Sequence, residues 1–411
     1  MMIRWLLMGL VLSGAVEAVE PVNPPGLLPA EMARPLLEQD LGVAAARAGL
    51  EVALQEAGIL DKSPYEWIVR GTAQQRRVDN SSRYNEWSAG IERTLRLPGK
   101  AAADRNLGKA TVEASQARYG EARHQAAREL MGLWVEWLHA ENAHTLAGRN
   151  LQATQESLAA VDKRVRAGDA SKLDLNLARA ELADQRRLDN DAKMQAAVAW
   201  ARLSTRFPGV ARQVQVLPTP LPLAEEAAFW RERILEQSDE LKLVQTQLVM
   251  DQAHAERARK NRTPDPTLGV QTASEIGGRE RLAGVTISMP IPGGQRHARS
   301  AKAIATVEVS RREVEFKQRQ LETEIASAVA TAQGAYDSLQ IANEGTVAMQ
   351  QNAALMQRAY TLGEAELQAL LLARRQANAA RNSALQVQVT ALKAYYGLLV
   401  DAHLVWDLEH D

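Results

Sequence analysis

Few residues in this chain are spaced for chemistry. It has seven His and no Cys. Without Cys there is no disulfide, thiolate metal site, cysteine nucleophile or lipidated N-terminal Cys. His139 and His144 are five residues apart and so do not share a helix face. They predict no metal site. Met349 and Met356 are one heptad apart, which reads as seam packing rather than soft-metal ligation. No Gly-rich phosphate loop, His-Glu-x-x-His or Gly-x-Ser-x-Gly occurs in the sequence. Catalytic residues, a cofactor and a resident metal are therefore not expected. Glu364 and Glu366 are the carboxylates best placed to handle ions. Multiplied by symmetry they would form an acidic ring that draws cations. Taken singly they are ordinary carboxylates at a helix start.

The elements that would position these residues come in two copies. Arg164-Val-Arg-Ala-Gly168-Asp-Ala-Ser-Lys-Leu-Asp-Leu-Asn-Leu-Ala178-Arg returns as Ala359-Tyr-Thr-Leu-Gly363-Glu-Ala-Glu-Leu-Gln-Ala-Leu-Leu-Leu-Ala373-Arg, with Gly, Ala and Arg in register at an offset of 195. Leu97-Pro98-Gly99 returns as Ile291-Pro292-Gly293 at an offset of 194. Such duplication decides architecture before any local pattern does.

No Pro lies between Pro98 and Pro208, and none follows Pro292. Pro is the strongest helix breaker, so each half can hold a helix of about 70 residues, roughly 100 Å long. Each then turns at Gly168 or Gly363, where glycine can adopt a left-handed conformation, and returns. The returning run from Leu370 through Ala373, Ala377, Ala380, Ala384, Val387 and Ala391 to Ala394 is a heptad seam of small knobs. Its counterpart, Leu175, Ala178, Leu182, Gln185, Asp189, Ala192, Ala196 and Ala199, is interrupted by two polar residues.

Before each Pro-Gly corner the period changes to two. Strands are predicted at about 64–75 and 86–97, and again at about 266–274 and 282–291, with Gly277-Gly278 as a turn. On this alternation Arg70, Glu86, Glu92 and Arg96 share a polar side. Tyr65, Trp67 and Trp87 share the other. Strands of about ten residues, apolar on one face with aromatic rings near the ends, suit a transmembrane barrel. A half-buried hairpin in a water-soluble protein is the other reading.

The N-terminus favours the barrel. Arg4, the apolar run Trp5–Leu12 and the small residues up to Ala18 form a secretory signal pattern over residues 1–18. The run is too short to span a bilayer as a helix, and no later stretch reaches 18 apolar residues. Net charge is −1, which argues against a nucleic-acid partner. Residues 19–203 form the first repeat, 204–225 an irregular Pro-rich link, 226–400 the second repeat and 401–411 a tail.

Four strands cannot close a barrel, and an open sheet edge is not tolerated in lipid. Copies must share one. Two would give about eight strands with a filled interior, whereas three would give about twelve. The fold class expected is mainly α with a membrane β-barrel part: a trimer with a shared barrel and a long coiled-coil tunnel.

The doubled plan and the helix-turn motif resemble the TolC-like outer membrane efflux proteins over most of the chain. Pro-Ile-Pro-Gly-Gly-Gln-Arg at 290–296 is most similar to the branch serving cobalt–zinc–cadmium-type metal efflux, although drug-efflux and type I secretion ducts share the plan. The resemblance implies a homotrimer in the outer membrane that extends into the periplasm and works with a periplasmic adaptor and an inner membrane pump. It implies adaptor docking at Arg164, Gly168, Asp169, Ala170 and Ser171 and at Leu362, Gly363, Glu364 and Ala365. It would make Glu364 and Glu366 an entrance gate. Arg70, Glu86, Glu92 and Arg96 would line the barrel lumen, with Tyr65, Trp67 and Trp87 at the lipid interface. A periplasmic coiled-coil adaptor or scaffold is the reading from a different class. It would be soluble without detergent.

Overall fold

A computed structural model describes residues 23–77, 79 and 83–406. The expected signal segment 1–18 lies outside the described residues, as do positions 407–411 of the expected tail. The first half runs α1 (Ala30–Glu38), α2 (Leu41–Asp61), β1 (Trp67–Arg77), β2 (Arg83–Thr94), α3 (Pro98–Ala167) and α4 (Lys172–Arg206). The second half repeats that order as α5 (Ala227–Gln237), α6 (Asp239–Lys260), β3 (Thr267–Glu275), β4 (Glu280–Ser288), α7 (Gly294–Leu362) and α8 (Leu367–Asp401).

α3 and α7 contain 70 and 69 residues, so each rod is roughly 105 Å long at the helical rise. Shorter helices line them: α2 and α4 pack on α3, and α6 and α8 on α7. Small residues set the spacing. A Cβ added at Gly108 of α3 would stand 3.1 Å from the Ala57 Cα of α2. The expected seam on α8 is buried in part, at Leu370, Ala373, Ala377, Ala384 and Ala391, and α7 buries Leu321, Ile325, Ala332 and Leu339. Gln185, one of the two polar interruptions on α4, is buried and donates to Glu181 at 3.0 Å. Met356 packs into the buried cluster at the helix turns, whereas Met349 is exposed.

The four strands form one antiparallel sheet in chain order. β2 pairs with β3, so the sheet joins the two halves. The strand limits differ from expectation. β2 stops at Thr94 because the Leu97 N–H donates to the Asp265 carboxylate at 3.1 Å instead of to a neighbouring strand. β4 stops at Ser288, which leaves Met289 and Ile291 outside the strand, on the approach to Pro292. β1 extends to Arg77 and β2 begins at Arg83, both inside the span expected to be loop.

The main core is a belt part-way along the rods. Trp134, Trp137, Leu203, Phe207, Trp230, Tyr396 and Trp406 are buried in it. Backbone segments wrap the belt and are held by indole and phenol donors. Trp134 Nε1 donates to the Gly26 carbonyl (2.8 Å), Trp406 Nε1 to Leu28 (2.7 Å) and the Tyr396 hydroxyl to Pro25 (2.5 Å). The irregular link is pinned by Gln388, which donates to the carbonyls of Leu217 and Pro218.

Candidate channel-forming and docking surfaces

Register fixes the faces of the sheet. Trp67, Val69, Trp87 and Ile91 of the first hairpin share a side with Leu268, Val270, Val285 and Ile287 of the second. All eight side chains are exposed, Val69 to 78% and Val285 to 74%. Among the described residues nothing covers this apolar face. Its charged residues are arginines near the strand ends, Arg77, Arg83, Arg93 and Arg281, and Arg93 lies 5.3 Å from the Trp67 ring while donating to the Tyr65 carbonyl. The opposite side is polar. Arg70 pairs with Glu92, and Gln74 Nε2 donates to Glu86 at 2.9 Å. Glu86 also lies 3.2 Å from Arg76 Nε and is buried in this network. The turn between β3 and β4 uses left-handed Gly277 and Gly278.

Two of the expected sheet residues lie elsewhere. Arg96 falls past the end of β2, so it is not on the strand's polar side. Its guanidinium pairs with Asp104 and donates to the Leu60 and Lys62 carbonyls, binding the end of α2 to the start of α3. Tyr65 precedes β1 and points inward. Its hydroxyl donates to Asp265 Oδ2 at 2.7 Å, which removes it from the lipid-facing set. The cause is Asp265, a residue unnoticed in the sequence, which also pairs with Lys100 at 3.0 Å. Burial alone would raise the Asp265 pKa. The hydrogen bonds from Tyr65, Leu97 and Lys100 outweigh burial and hold it below the ordinary value.

At the far end of the rods both turns are built alike. Gly168 (φ 83°) and Gly363 (φ 79°) are left-handed. The N–H of Asp169 returns to the Arg164 carbonyl (2.8 Å), and that of Glu364 to Ala359 (2.9 Å). This is a Schellman closure, which satisfies the last carbonyls of a helix. Ser171 then starts α4 with a capping box to Asp174. Glu366 starts α8 without a side-chain cap bond. Gly168, Asp169, Ser171, Leu362, Gly363, Glu364 and Glu366 are exposed, and Arg164, Ala170 and Ala365 are half-buried.

The two turns are brought together. Val161 and Ala178 from one hairpin share a buried cluster with Leu367, Leu370 and Leu371 from the other. Arg164 stacks on Tyr360 across the halves, and Arg375 Nε donates to the buried Glu181 at 2.7 Å. Of the two histidines expected to be separate, His144 lies 4.0 Å from Asp189 on α4. Burial lowers the His139 pKa.

A long helical rod that ends in a membrane-type sheet with an uncovered apolar face defines an outer membrane channel protein. The outer membrane efflux protein family matches residues 33–206 and 230–399, one block in each half. The chain belongs to that family, and its place is the bacterial outer membrane, extending into the periplasm. Solved structures share the fold at low identity. The outer-membrane channel OprN is 18% identical, with 96% of each chain covered and a TM-score of 0.77. A Pseudomonas aeruginosa membrane protein is 17% identical over 93% of this chain and 91% of that one, with a TM-score of 0.77. The open state of the Neisseria gonorrhoeae MtrE outer membrane channel is 18% identical over 93% and 90%, with a TM-score of 0.73. No curated protein sequence matches the chain.

Proposed function

We propose that this chain is one of three identical subunits of a passive exit duct, fed by an inner membrane pump through a periplasmic adaptor. The observation that carries the reading is the sheet. It has two unpaired edges, β1 and β4, and an apolar face that is fully uncovered. In water such a surface would drive association, and in lipid its open edges must be closed. Copies of the same sheet meet both demands, and roughly twelve strands leave a conduit where eight would not. A soluble adaptor or scaffold would have no use for the exposed Trp67, Val69, Val285 and Ile287.

The exposed turns at 168–171 and 362–365 are the surface offered to the adaptor's helical hairpins. Glu364 and Glu366 form the acidic ring at the entrance. The motif at 290–296 supports divalent metal cations as cargo. The decisive experiment is purification of the mature product. A detergent-dependent trimer that dissociates on heating before electrophoresis is expected. A monomer that stays in the aqueous fraction after lysis would overturn the duct reading. Metal sensitivity of a strain lacking the gene, cured by the wild-type chain, tests the cargo separately.

A further inference from the structure

The belt brings together two histidines that lie 279 positions apart in the sequence. His124 comes from the middle of α3, Asp239 from the first residue of α6 and His403 from the segment after α8. All three are buried, exposed to 6%, 3% and 6%. One nitrogen of each imidazole and one Asp239 oxygen lie within 4.8 Å of one another.

Two of the four ring nitrogens, His124 Nδ1 and His403 Nδ1, have no hydrogen-bond partner. Buried polar atoms are rarely left so. His403 Nε2 is 3.3 Å from Asp239 Oδ2, its one close polar neighbour among these groups. That spacing matches the edge of a zinc tetrahedron, about 3.3 Å for ligand bonds of about 2.0–2.1 Å. The surroundings complete the pattern. The other nitrogen of His124, Nε2, lies 3.4 Å from Asp401 Oδ1, and Arg128 Nε donates to the same oxygen at 2.6 Å. A carboxylate behind a ligating imidazole fixes its tautomer and orientation. One helical turn from His124, Glu121 is also buried, and its Oε2 has no partner.

We infer that His124, Asp239 and His403 bind one divalent transition-metal ion of the zinc class in each chain, oriented by Asp401. Two imidazoles and a carboxylate suit zinc and its neighbours, and imidazole disfavours magnesium or calcium. The ion ties the chain end after α8 to the middle of α3 and the start of α6. It is a structural ion of the belt, distant in sequence from the turns at Gly168 and Gly363 and independent of what the duct carries.

The test is metal analysis of the tag-free, full-length protein in detergent, after dialysis against a mild chelator. About one zinc per chain is expected. Stripping it with a strong chelator should lower Tm, and added Zn²⁺ should restore it. Co²⁺ in its place should give the visible absorption of a four-coordinate N/O site. His403→Gln should abolish retention. Asp401→Asn removes no ligand, so the fold should persist, and metal affinity should drop by about 10–100-fold. Background metal with no Zn²⁺-dependent Tm shift would overturn the site. So would metal content unchanged in both variants, which would mark adventitious binding elsewhere. If His403→Gln does not fold, Asp401→Asn alone decides: unaltered affinity sinks the proposal.

Discussion

The guanidinium carbon of Arg164 stands 4.9 Å from the centre of the Tyr360 ring. One residue belongs to the first helix turn and the other to the second, so the duplicated turns of one chain hold each other. A cation over an aromatic face contributes about 0.5–1 kcal/mol where water has access. A double-mutant cycle with Arg164→Ala and Tyr360→Ala should return a coupling of that size in thermal unfolding. Hydrogen exchange should rise in both turns when either residue is changed. Strict additivity would mean that the stacking contributes nothing.

Gly168 and Gly363 should not tolerate alanine. A side chain at either would meet nothing within 4 Å, so the cost is purely that of the left-handed backbone, about 1–2 kcal/mol. Asparagine, which enters that region more readily, should recover part of it. Equal losses for alanine and asparagine would point instead to a side-chain clash.

Neighbouring residues on β4 should respond oppositely to arginine. Val285 and Ile287 lie on the apolar face and Thr286 on the polar one. Arginine facing lipid at mid-depth costs about 2–4 kcal/mol. Val285→Arg should therefore deplete the heat-labile trimer, while Thr286→Arg should assemble. Assembly of both variants would remove the lipid-facing assignment.

Acid should loosen the joint between sheet and rods through Asp265. Its folded pKa is depressed, so its contribution is present above the unfolded value of about 3.9. It is lost as pH falls from there through the folded pKa. Tyr65→Phe removes one of the stabilising donors and brings the folded pKa closer to the unfolded one, so the loss should be smaller and be complete at a higher pH. Asp265→Asn should abolish this component of the acid transition. An acid profile identical in all three proteins would contradict the assignment.

Channels carrying Glu364→Gln and Glu366→Gln should lose cation preference in planar bilayers, because a neutral ring no longer attracts cations. Unchanged reversal potentials would reduce both residues to ordinary helix-start carboxylates.

The sequence was legible wherever one local period repeats. Gly168 and Gly363 marked the turns, the Ala seams marked α8, and the alternation around Trp87 and Val285 gave the faces of the sheet. Helices α2 and α6 were not anticipated, since residues 41–61 and 239–260 carry neither Pro-Gly corners nor a matching motif. Arg96 and Tyr65 fit the alternation by residue type. What holds Tyr65 is Asp265, 200 positions away, and what holds Arg96 is Asp104 together with the Leu60 and Lys62 carbonyls at the end of α2. Long-range pairing of this kind has no periodic signature. The same holds for His124 and His403, which look isolated until α3 and the end of α8 meet in the belt.

The junction of β2 with β3 imposes an order on biogenesis. Thr94, at the end of β2, must wait for Thr267 before their hydroxyls meet at 2.8 Å. Until most of the polypeptide has crossed the inner membrane, the first ribbon has only itself to pair with and a sticky border to shield. Insertion thus belongs after synthesis of β3, and a product truncated before residue 267 would leave the second edge of the first ribbon without its neighbour.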